Sequence, residues 1–137
     1  MSVTPNLRQY GSTSIIRVAT TFTGTAQGTV WTPAAGKRII LKGCALRARV
    51  TTALVGATPG DAICLLDNAV ATPLVSIGVI AAATDAPGAV QYGLTEFDFD
   101  LGYPLAAADN VLKVSGLATI GTGVIAVNGF VWGDEGG

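Results

Sequence analysis

The chain has 137 residues, half of them hydrophobic and only 12% charged, with a formal net charge of −1 and no histidine. That length suits one domain around one core. The scattered charges exclude a basic tract for nucleic acid, and neither a signal peptide nor an apolar run of the ~20 residues that span a bilayer is present, so export by that route and membrane embedding are not expected.

In chain order, residues 1–13 are polar, contain Pro5 and Gly11 and show no alternation, which predicts an extended N-terminal arm. Residues 14–137 form the single domain. Runs of β-branched or alternating residues predict strands at 14–22, 28–32, 37–51, 62–66, 73–81, 94–100, 110–115 and 121–132. Their separators, TPAAGK, GATPGD, DNAVATP, TDAPGA and LGYPLAAAD, are turn chemistry, and the Ala-rich 105–108 has room for one helical turn at most. About eight short strands without crossover helices specify an all-β fold, an antiparallel β-sandwich of jelly-roll type.

Side chains alternate along a strand, so parity identifies faces. In 37–51, Ile39 and Leu41 share one parity while Leu46, Ala48 and Val50 share the other. The flip falls at Lys42-Gly43-Cys44, where a glycine can host a bulge. Beyond it Arg47 and Arg49 point outward together, cross-strand or cross-subunit partners for the acids of EFDFDL at 96–101. In that stretch Phe97, Phe99 and Leu101 are expected to build one wall of the sandwich. The last strand, GVIAVNGFVWG, is apolar on both parities, which suits a central strand covered on both sides or a strand at a subunit contact.

The chain offers little for catalysis. Without histidine there is no base of near-neutral pKa for Ser or Cys nucleophiles, and no phosphate-cradling loop stands between a strand and a helix. Cys44 and Cys64 belong to no metal-ligand pattern and are expected as buried free thiols, a disulfide being the alternative. Glu96, Asp98 and Asp100 stand about 6.5–7 Å apart on one strand face, a spacing open to calcium binding or glycoside hydrolysis, but alternation alone explains them as the solvated or ion-paired side of a half-buried strand. Trp31 and Trp132 each close a strand, where a ring seals the core end or an interface more often than it stacks a sugar. No enzymatic activity, metal or cofactor is expected. A surface this poor in charge, where an ordinary domain carries roughly a quarter charged residues, is expected to be largely covered by other subunits, a bland but wettable Thr, Ser, Ala and Gly surface being the alternative.

Three segments, TPAAGKRIILKGCALR, FDLGYPLAAADNVLKVSG and GVIAVNGFVWGDE, resemble small jelly-roll head decoration, or cement, proteins of tailed bacteriophages, over residues 14–133. The resemblance implies a virion protein on the capsid exterior, assembled in the host cytoplasm, a homotrimer that braces the major capsid protein after head expansion. It implies shell contacts from Arg8, Tyr10 and the rest of the arm. Lateral or inter-subunit pairs then fall to Arg47, Arg49, Glu96, Asp98 and Asp100, and core or trimer contacts to Phe130 and Trp132. A carbohydrate- or receptor-binding module of a phage fibre or tail is the alternative, since jelly rolls also serve as lectins.

Overall fold

The computed structural model describes residues 13–24, 26–68, 72–87, 91–118 and 120–136, without the side chains of 72, 91–95 and 100. The expected arm, with Arg8 and Tyr10, lies outside the described residues apart from Thr13. Among the described residues eight strands follow one another: β1 (Ser14–Phe22), β2 (Gly28–Trp31), β3 (Arg38–Val55), β4 (Ala62–Asp67), β5 (Thr72–Val79), β6 (Gln91–Pro104), β7 (Leu112–Gly116) and β8 (Thr122–Gly136). They form two antiparallel sheets, ordered β1-β8-β3-β6 and β2-β7-β4-β5. The chain changes sheet at every connection except β4 to β5, so strands distant in sequence become neighbours. This is the jelly-roll sandwich expected from the spacing of strands and turns.

The longest strands depart from their expected bounds. β3 runs on to Val55, β8 to Gly136, and β6 extends both ways from 94–100. The reason is pairing: β3 lies between β8 and β6, so its Thr-rich end gains ladder bonds that no local signal announces.

The parity flip in β3 is a bulge. Leu41 faces Gly133 and Gly43 faces Trp132 on β8, leaving Lys42 as the extra residue. Ile39 and Leu41 before it, and Cys44, Leu46, Ala48 and Val50 after it, all reach the core. One inserted residue thus keeps a long strand's apolar side chains on the inner face although their parity changes. Opposite, from β8, come Ile125, Val127 and Val131, while the second sheet supplies Trp31, Ile63, Leu65, Ile77, Leu112 and Val114.

The β6 wall is only partly built as expected. Phe99 packs on the core and stacks near Phe97 and Tyr103, at ring centroid distances of 4.7 and 5.9 Å. Leu101, however, is 89% exposed and Phe97 is exposed too. Between the pairs Leu41 with Tyr103 and Gly43 with Asp98, β3 advances two residues and β6 five. Strict alternation cannot survive such an irregularity, and Leu101 is turned out to solvent.

Acids hold the loops. Asp67, buried at the end of β4, accepts hydrogen bonds from Ala106 N at 2.7 Å and Asn110 Nδ2 at 2.8 Å. Asp109, at φ 67°, accepts from Gly36 N at 2.7 Å. Glu135 on β8 accepts from Trp31 Nε1 at 3.0 Å and Ala34 N at 2.9 Å, joining one sheet to the other. Trp31 therefore seals the core end as expected, its indole N–H satisfied. At the opposite end Asp61 accepts from Ala118 N.

Candidate interaction face

In an antiparallel ladder, paired residues project to the same side of the sheet. With β3 and β8 sending Cys44, Leu46, Val127 and Val131 inward, the intervening residues form the outer face of the β1-β8-β3-β6 sheet. The register writes that face as rows. Ile15, Trp132, Gly43 and Asp98 make one; Arg17, Phe130, Ala45 and Glu96 the next; Ala19, Asn128, Arg47 and Leu94 the third; Thr21, Ala126, Arg49 and Gln91 the fourth.

The first two rows of this face carry apolar side chains open to solvent. Ile15 is 71% and Phe130 48% exposed, and Trp132 is half-buried. Trp132 lies across Gly43, where any Cβ would run into its ring atoms Cζ2 and Cε2. The glycine that permits the bulge is therefore also the seat of the indole. Two shallow hollows flank the aromatics. One, about 260 Å³, is lined by Glu96, Phe97, Asp98 and Trp132; the other, about 310 Å³, by Ala45, Arg47, Asn128, Gly129 and Phe130.

Charge stands on both edges of the face and on the central strand β3. Arg17 stands on edge strand β1, and Glu96 and Asp98 on edge strand β6. Arg47 and Arg49 project outward on β3 as expected, but in register with Leu94 and Gln91. Among the described residues neither arginine forms an ion pair with Glu96. Lys42 Nζ pairs with Asp134 Oδ2 at 2.9 Å, just beyond the Trp132 row.

The structure thus brings Arg47, Arg49, Glu96, Asp98, Phe130 and Trp132 onto one surface; the backbone of Asp100 continues β6, its side chain lying outside the described set. The sequence left Phe130 and Trp132 as core or subunit-contact residues; both project from the outer face of β8, away from the sandwich interior. Sequence reading missed Ile15 and Arg17, because the outer face of β1 acquires its neighbours only when β8 returns from the far end of the chain. It also missed Asp67 and Glu135 as loop anchors; the Asp-Asn pairs at 67–68 and 109–110 are the one local signal for such turns.

Both cysteines are buried free thiols. Burial pushes the Cys44 thiol from 9.0 up to about 11, against a smaller opposing hydrogen bond with the Phe97 backbone. Cys64 is raised by burial and by nearby Asp61. Among the described residues no three His, Cys, Asp or Glu side chains are grouped to hold a metal ion. Comparison of the chain with protein-family models, curated proteins and solved structures gives no match.

Proposed function

We propose that the protein is a structural virion component, a capsid decoration protein that binds the outside of an assembled phage head and stabilises it as a self-associating layer. The observation that carries this reading is the outer face of the β1-β8-β3-β6 sheet, where Ile15 and Phe130 are exposed beside a half-buried Trp132 on a chain only 12% charged. Exposed apolar side chains set among charged ones are the composition of an interaction surface. The resemblance of the three sequence segments to decoration proteins supplies the partner, the major capsid protein.

The mechanism is thermodynamic. A protein that binds the assembled shell and not its free subunits stabilises the shell by mass action, and many weak equivalent contacts add over a lattice. The arm, with Arg8 and Tyr10, makes the shell contact, and the sheet face makes contacts between neighbouring copies. Deleting residues 2–12 should leave a folded protein that no longer co-sediments with expanded heads. Undiminished co-sedimentation would reject the arm's role, and full-length protein that ignores heads would reject the reading as a whole.

The second reading, a glycan-binding module of a fibre or tail, is favoured by Phe130 lying beside Asn128 and Arg47 at the larger hollow. Aromatic faces beside hydrogen-bonding groups can take a sugar ring. A glycan array separates the two: specific signal abolished by Phe130→Ala would select the second.

A further inference from the structure

We propose that the outer face of the β1-β8-β3-β6 sheet binds the same face of a second copy of this chain, about a two-fold axis that runs parallel to the strands between β8 and β3. The proposal specifies the self-association invoked above, but rests on the face itself and holds whether or not the protein meets a capsid.

Charge distinguishes the possible arrangements. Two copies of a sheet can meet face to face about either of two in-plane two-fold axes. An axis across the strands lays β1 over β1 and β6 over β6, which keeps Arg17 of one copy away from Glu96 of the other. An axis along the strands lays β1 over β6 and β8 over β3, and each row meets itself reversed. Arg17 of one copy then stands over Glu96 of the other, twice. The Lys42–Asp134 pair of β3 and β8 likewise meets its own reverse, giving a ring of four alternating charges. The edge charges and the Lys42–Asp134 pair thus favour the second axis, about which Arg47 stands over the neutral Asn128.

Side-chain size favours the same axis. Reversal about the same axis places Phe130 over Ala45 and Asn128 over Arg47, because these pairs are register partners on β8 and β3. A large ring thus faces a small side chain in each direction, and Phe130 has a hollow lined by Ala45 and Gly129 to enter. Row 1 is more crowded, since the two Trp132 rings already cover Gly43 in each copy; they meet near the axis, with Ile15 outside them. Sandwich sheets pack with strands within about 30° of parallel, so a strand-parallel axis is geometrically ordinary.

The extent of the face sets the strength of the contact. Four strands about 4.8 Å apart and seven residues at about 3.3 Å give a face of roughly 450 Å² in projection. Two such faces bury less than a standard interface, which places the contact in the weak, exchanging class. An isologous contact of this kind produces assemblies of even copy number, unlike the three-copy ring implied by the resemblance.

The experiment is sedimentation velocity on the full chain across micromolar to submillimolar concentration, without capsids. The expected result is exchange between the 13.8 kDa chain and a dimer. Arg17→Glu and Glu96→Arg should each weaken dimerisation about tenfold, and the double charge swap should recover most of that loss. Both positions are exposed, and an unchanged thermal melt verifies folding of each variant. Phe130→Asp, a second probe at the centre of the face, should abolish the dimer. A chain that stays monomeric throughout, a trimer, single variants that dimerise like the parent, or a double swap as weak as the two losses combined would each overturn the proposal. Failure of capsid binding with an intact dimer would reject the decoration reading and leave this one standing.

Discussion

At the scale of single residues, Gly43 and Cys44 sit side by side with opposite demands. Gly43 cannot carry a side chain, because a Cβ would collide with the Trp132 ring and approach Phe97 O at 2.7 Å. Gly43→Val should destabilise the fold by about 1–3 kcal/mol, the range for overpacking a closed site, and urea unfolding measures it. Cys44, one residue on, is fully buried. Its native thiol titrates near 11, whereas in the unfolded chain it returns towards 9.0. Between these values the unfolded state has shed a proton that the native state keeps. The stabilisation is therefore complete below pH 9 and is lost as pH rises to 11. Cys44→Ala should lower the melting temperature at neutral pH through lost packing, yet flatten its decline from pH 9 to 11. A thermal melt series across that range is the check.

At the scale of elements, β8 organises the molecule. It pairs with β1 on one side and β3 on the other, and its two parities serve different purposes: Ile125, Val127 and Val131 fill the core while Phe130 and Trp132 stay outside. Gly129, at φ 138°, lies between them, where a Cβ would strike Ala45 O. Near its end Glu135 holds the loop after β2 through Trp31 and Ala34. Glu135→Ala leaves the buried indole N–H without its carboxylate, at a cost of about 1–3 kcal/mol. Amide exchange at Ala34 should then accelerate well beyond that of the strand interiors, because its acceptor is also gone. An unchanged Ala34 rate would show that the loop is held by other contacts.

At the scale of the whole molecule, the sheets join strands from opposite ends of the chain. β1 needs β8, and β2 needs β7, so closing either sheet requires ordering most of the polypeptide. Topologies dominated by such non-local pairs fold in milliseconds to seconds rather than microseconds. Stopped-flow refolding followed by tryptophan fluorescence should fall in that window; a microsecond phase carrying the full amplitude would contradict it. The same topology makes the candidate face. Ile15, Trp132, Gly43 and Asp98 come from four strands, yet form one row, so the surface exists only after both ends of the chain have met.

What local chemistry could determine was the strand content, the sandwich class and the bulge at Lys42-Gly43-Cys44, because side-chain alternation and turn residues act over a few positions. The buried state of both thiols belongs in the same group, since their neighbours in sequence are apolar. Tertiary structure alone decided the rest. Leu101 leaves the core because β6 advances five residues against two on β3, a mismatch invisible within β6. Trp132 stands outside the sandwich because Gly43 provides its seat. Arg17 and Glu96 occupy opposite edges of one face because β8 and β3 come between their strands. Period-two patterning says that a residue shares a face with its second neighbour, and strand order, set by long-range pairing, says whose face lies beside it.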